Sequence, residues 1–102
     1  MKRALLALLM APMVAQAQFH SGNDLLEMMR SESVGKQMQG LGYIQGVTDA
    51  LTNTVTCPPR VSGGQVMDLI KNYLEANPAM RHFTAWSITS YVLRATWPCK
   101  SI

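Results

Sequence analysis

CPPRVSGGQVMDLIKNYLEANP, from Cys57 to Pro78, reads as a stop, a capped helix and a second stop. Pro58 and Pro59 donate no backbone hydrogen bond and push the residues before them out of helical geometry, so a helix upstream must end there. Ser62 and Gln65 then stand three apart as a capping box, with Val61 and Val66 at the two positions of a hydrophobic staple. Val66, Leu69, Ile70, Tyr73 and Leu74 recur at i, i+3, i+4, i+7 and i+8, the spacing of one buried helical stripe. Asn77 and Pro78 close this helix and restart the chain as cap and first-turn proline of the next.

Working outward, the same periodicity predicts three more helices. Upstream, residues 36–54 form one, with Tyr43, Val47, Ala50 and Leu51 as its core stripe. Gly40, Gly42 and Gly46 inside that helix each cost roughly 1 kcal/mol against alanine, and close approach of a neighbouring helix is the expected compensation. Asp49, in an otherwise apolar and glycine-rich helix, is expected to need a partner such as Arg81 if buried. Further upstream a short helix begins after Ser21, capped by Asn23 or Asp24, carries Leu25, Leu26, Met28 and Met29, and ends by Ser33.

Downstream, the last helix is expected from Asn77 to about Arg94 and is apolar on two sides. Ala85, Ile88, Val92 and Ala95 share one face; Phe83, Trp86, Ser90, Leu93 and Trp97 lie nearly opposite at heptad-like spacing. A helix apolar all round is either central in its domain or lends one face to a partner. No strand-like alternation competes with these patterns, so the expected fold is all-α: a small four-helix domain.

The N-terminus reads as an export signal. Lys2 and Arg3 give a basic start, Ala4 to Met10 an apolar run, and Ala15-Gln16-Ala17 a cleavage site. The run is broken by Pro12 and is too short for a bilayer-spanning helix, which needs about 20 residues. Residues 1–17 are thus the expected signal peptide and residues 18–102 the helical domain, placed outside the cytoplasm with no membrane attachment after cleavage. Losing Lys2 and Arg3 takes the formal net charge from +3 to +1. The remaining basic residues are scattered singly, which excludes a nucleic-acid patch.

Cys57 and Cys99 are the only cysteines, both in the exported part, and read first as a disulfide. Closing a loop of roughly 40 residues constrains the unfolded chain by roughly 4 kcal/mol in the loop-entropy treatment, a large share of the stability of so small a domain. Their separation, without C-x-x-C spacing or a ligand cluster, argues against a metal or redox centre. No catalytic constellation is visible. His20 and His82 are the available bases, neither with a motif around it; Ser87 and Ser90 lack a nucleophile elbow; the carboxylates sit singly. No cofactor is expected.

Taken together, FHSGNDLLE (Phe19 to Glu27), LGYIQGVTD (Leu41 to Asp49), the Cys57–Pro78 stretch and WPC (Trp97 to Cys99) resemble the Rap/Tai immunity proteins of type VI secretion systems. The resemblance covers nearly all of the expected mature chain. It implies a periplasmic all-helical protein, without enzymatic activity, that binds and occludes a peptidoglycan amidase effector. It also implies that Cys57 and Cys99 are bridged. Such proteins usually carry a further cysteine pair where this chain has Met28 or Met29 and Gly40, so a more mobile first helix is expected here.

The expected partner-binding element is the connection after Ala76, with Asn77, Met80, Arg81, His82, Phe83 and Trp86 as the contact residues. The face carrying Phe83 and Trp86 would serve the effector or a second copy, giving a homodimer. The competing expectation is a small periplasmic chaperone-like protein, or an orphan binding module without a cognate effector.

Overall fold

The computed structural model describes residues 20–100. The expected signal peptide lies outside the described residues. Four α-helices and one short 3-10 turn follow in order: α1 (Gly22–Arg30), α2 (Val34–Leu51), α3 (Gly63–Ala76), the 3-10 turn (Pro78–Met80) and α4 (Ala85–Thr96). Among the described residues there is no sheet, only isolated bridges such as Ser21 with Thr84 and Thr56 with Pro98. Every pair of helices is in contact. Their shared core includes Leu25, Ile44, Ile70, Leu74 and Leu93, all completely buried. Removing a leucine or isoleucine side chain of that kind from water stabilises the fold by about 2 kcal/mol.

The helix starts follow from side-chain caps. In α3 the Ser62 hydroxyl accepts from the Gln65 amide while the Gln65 side chain accepts from the Ser62 amide, as expected. The cap of α1 is earlier than expected: Ser21, not Asn23 or Asp24, holds the N-cap, and Asp24 completes the box by accepting from the Ser21 amide at 2.9 Å. That hydrogen bond holds the Asp24 carboxyl below the usual carboxylate range, with desolvation opposing it. Ser33 caps α2, which therefore starts at Val34.

The end of α2 also differs from expectation. The helix stops at Leu51, well before the prolines, because Asn53 turns into the left-handed region at φ 66° just beyond the cap. Its core stripe is Ile44, Val47 and Leu51, with Tyr43 half-buried and Ala50 exposed. Of Gly40, Gly42 and Gly46, only Gly40 meets a neighbour: a Cβ built there would lie 3.3 Å from Met28 Cβ. Gly42 and Gly46 have nothing within 4 Å, so close intramolecular packing does not offset their helix penalty of roughly 1 kcal/mol each. Asp49 is exposed, so the partner it would need if buried is not required, and it forms no ion pair among the described residues.

The last helix is the largest correction. It begins at Ala85, not Asn77, and is capped by the Thr84 hydroxyl accepting from the Ser87 amide at 3.2 Å. Pro78 starts only the 3-10 turn, and His82 lies in the connection that follows. The two expected faces are redistributed as well: Leu93 is fully buried while Ala95 is exposed. The buried face of α4 is Ala85, Ile88, Thr89, Val92 and Leu93.

Cys57 and Cys99 are bonded, with Cα atoms 4.8 Å apart and a sequence separation of 42. The junction is also hydrogen-bonded: the Cys57 amide donates to the Trp97 carbonyl at 2.8 Å. The buried Thr56 hydroxyl lies 2.9 Å from each of the Leu93 and Trp97 carbonyl oxygens, sharing its proton between two groups that the end of α4 leaves open.

Candidate functional site

The residues expected to contact a partner fall into two groups with different fates. Asn77 and Arg81 spend their polar ends on the chain itself. The Asn77 side-chain amide donates to the Tyr73 carbonyl at 2.9 Å. The Arg81 guanidinium donates to the carbonyls of Leu74 at 2.7 Å and Glu75 at 3.2 Å. A cation on the last carbonyls of α3 neutralises the negative end of that helix and fixes the chain direction beyond it.

Met80, Phe83 and Trp86 form the second group and point outward, being 38%, 45% and 48% exposed. His82 stacks obliquely on Phe83 with ring centroids 4.2 Å apart. Sequence reasoning missed Tyr91, which is 52% exposed on α4, and Tyr73 on α3, whose ring lies 6.0 Å from it. Tyr73, Met80, Phe83 and Tyr91 line one shallow apolar cleft of about 200 Å³ together with Ser87 and Ile88. A neighbouring apolar cleft of about 250 Å³ lies between His20, Tyr43, Thr84 and Trp86. Partial burial pushes the Tyr43 phenol above its ordinary pKa. The signal for Tyr91 was the same one that picked out Trp86: a ring on α4 that the core stripe Ile88, Val92 leaves out.

This aromatic surface is held in place by the start of α1. The Gly22 amide donates to the Phe83 carbonyl at 2.8 Å, the Asn23 amide to the Arg81 carbonyl at 2.9 Å, and the Ala85 amide to the His20 carbonyl at 2.7 Å. Only glycine fits at position 22, where a Cβ would meet Ile88 Cδ1 at 2.5 Å and the Arg81 carbonyl oxygen at 2.9 Å. The turn that carries Phe83 is thus pinned from behind by backbone rather than hung free. Large apolar side chains on a rigid support, with no charged residue lining either cleft, suit protein recognition.

A larger cleft, about 460 Å³, lies elsewhere and is polar, with Gln45, Asp49, Arg60 and Ser62 in its walls. The Ser62 hydroxyl is occupied by its helix cap, and no histidine lines the cleft. Among the described residues no group of three histidine, cysteine or carboxylate side chains could hold a metal ion. No described helix is long and apolar enough to cross a membrane.

A compact helical domain, closed by a disulfide and displaying a braced aromatic face, has the build of a small binding protein. The family model of the Rap1a immunity proteins matches residues 21–99, and the chain belongs to that family. No curated protein matches it. Membership carries an immunity function against a secreted effector, in a family that is generally non-catalytic. The matched span runs from the cap of α1 to the second cysteine of the disulfide.

Proposed function

We propose that this chain is an exported immunity protein that binds a peptidoglycan amidase delivered by a type VI secretion system and covers its catalytic cleft. Residues 1–17 direct it to the periplasm, where the disulfide forms and where such an amidase would act. The observation that carries the assignment of the surface is the exposed pair Phe83, on the turn before α4, and Trp86, in the first turn of α4, a junction held by three backbone hydrogen bonds to His20, Gly22 and Asn23. Rigid aromatic anchors lose little conformational freedom on binding and dominate the energetics of tight interfaces. Met80 and Tyr91 extend the same surface; Asn77 and Arg81 shape it without touching the partner.

The test is a titration of the oxidised protein with the candidate amidase. Trp86→Asp should weaken binding at least about 30-fold, the size of an anchor residue, while leaving the helical signal and melting temperature near wild type. Unchanged affinity would remove the α4 face from the interface. A chaperone-like protein would instead hold many unfolded clients without fixed stoichiometry, which the same titration against a reduced, unfolded client protein detects.

A further inference from the structure

Peroxides and related oxygen-atom donors attack thiols first, and among the described residues there is none, since both cysteines are spent in the disulfide. Such an oxidant is left with the thioethers. Met28 and Met29 are buried and Met67 is half-buried against the core, whereas Met38 and Met80 are 56% and 38% exposed. Met38, on α2, lines neither apolar cleft. Met80 lines the one that it shares with Tyr73, Phe83 and Tyr91. Its amide donates to the Asn77 carbonyl at 3.0 Å and its carbonyl accepts from the Phe83 amide at 3.2 Å, so the backbone carrying the thioether belongs to the same fixed turn as Phe83. Besides the two phenols, the cleft offers only the Ser87 hydroxyl, which already accepts from the Thr84 hydroxyl at 2.8 Å. A polar atom set on the Met80 sulfur therefore finds little to bond there once a partner excludes water.

We propose that Met80 is an oxidation site that regulates this surface: a peroxide converts its thioether to the sulfoxide, and the sulfoxide weakens the hold on the partner. The regulation rests on the reading of the surface from Met80 to Tyr91 as the effector's seat; the site of oxidation does not. In the step itself a sulfur lone pair attacks one peroxide oxygen and the O–O bond breaks. The departing hydroxide takes the proton of the transferred oxygen and leaves as water, so sulfur loses the two electrons that the peroxide gains. A flexible apolar side chain becomes a polar one. The free chain hydrates the new oxygen, but a bound partner must strip that water away, so oxidation lowers affinity and spares the fold.

Hydrogen peroxide in rising dose on the disulfide-bonded protein, followed by peptide mass mapping and by calorimetric titration with the candidate amidase, tests this. Met38 and Met80 should each gain one oxygen before Met28, Met29 and Met67 do. Affinity should fall by about tenfold as Met80 is converted, with the melting temperature near that of the untreated chain, and should return after treatment with methionine sulfoxide reductase. Met80→Leu sets its own starting affinity, which the same dose should not move. Met38→Leu should bind as the wild type does and lose affinity to peroxide as the wild type does. Buried methionines oxidised ahead of Met80 overturn the proposal, as does a Met80 sulfoxide that binds as tightly as the thioether, or a Met80→Leu chain that peroxide weakens like the wild type. An untreated chain that binds no amidase removes the proposed function and the regulation with it, and the mass map then decides the oxidation site alone.

Discussion

The Cβ of Met28 lies 3.3 Å from where a side chain on Gly40 would begin, so α1 and α2 touch at Gly40 and at one of the two methionines, Met28 or Met29, where the resemblance implies a second cysteine pair. Disulfides bring Cβ atoms to within about 3.8 Å, so the backbone here is already close to bridging geometry. Met28→Cys with Gly40→Cys should form the bridge on oxidation and raise stability by about 2 kcal/mol, somewhat below the loop-entropy figure because Met28 is buried and its thioether packing is lost. Denaturation with and without reductant measures the gain. Amide exchange in α1 should be faster than in α4 for the wild type and should slow in the bridged variant.

Thr56 and Thr89 are both completely buried, yet their hydroxyls sit in opposite circumstances. Thr56 satisfies carbonyls at the end of α4, whereas Thr89 Oγ1 meets no hydrogen-bond partner among the described residues. Thr56→Val should therefore lower stability by about 2 kcal/mol, while the isosteric Thr89→Val should be neutral or raise it by about 1 kcal/mol. Urea unfolding of the two variants side by side checks the contrast.

Gly22→Ala should destabilise the domain by about 2 kcal/mol, in the range of overpacked core sites, because one of its collisions is with a backbone oxygen that cannot rotate away. That oxygen belongs to Arg81, so the loss should extend to the aromatic turn. Effector affinity is expected to fall even though position 22 is buried, and calorimetry on the folded variant reads both effects.

The capping box of α1 carries a pH signature. The Asp24 carboxyl is lowered by the Ser21 amide, so its contribution is present above the unfolded value near about 4 and is lost as pH falls through the folded value. Asp24→Asn should flatten the stability profile below about pH 4 relative to wild type. Ser21→Ala should cost about 1 kcal/mol through the lost cap but leave most of the pH dependence in place, since the Ser21 amide that lowers the carboxyl remains. Acid titration of the melting temperature distinguishes these variants from one with an unrelated defect.

Much of this architecture could be read from local chemistry. The box at Ser62 and Gln65 and the stripe Val66, Ile70, Leu74 needed nothing beyond their own helix, and the structure reproduces them. The cysteine pair was equally direct. What failed required knowledge of distant groups. Pro78 fits a helix start, but Arg81 reaches back to the carbonyls of α3 and the chain must turn again before Thr84 offers a new cap. Leu93 and Tyr91 are two residues apart, and only the position of Thr56 and the core explains why the leucine turned inward and the tyrosine outward. The candidate surface was accordingly half visible: Phe83 and Trp86 were found, while Tyr73 and Tyr91 join it only through packing of α3 beside α4.

The bond between Cys57 and Cys99 encloses α3, the 3-10 turn and α4, including the exposed connection around Met80 to Phe83. A protease that nicks that connection therefore releases nothing: the two pieces stay covalently joined, and the helices on either side remain tethered at the far end of the domain. Under proteolytic attack, a chain closed in this way can be cut at an exposed point and still hold its shape.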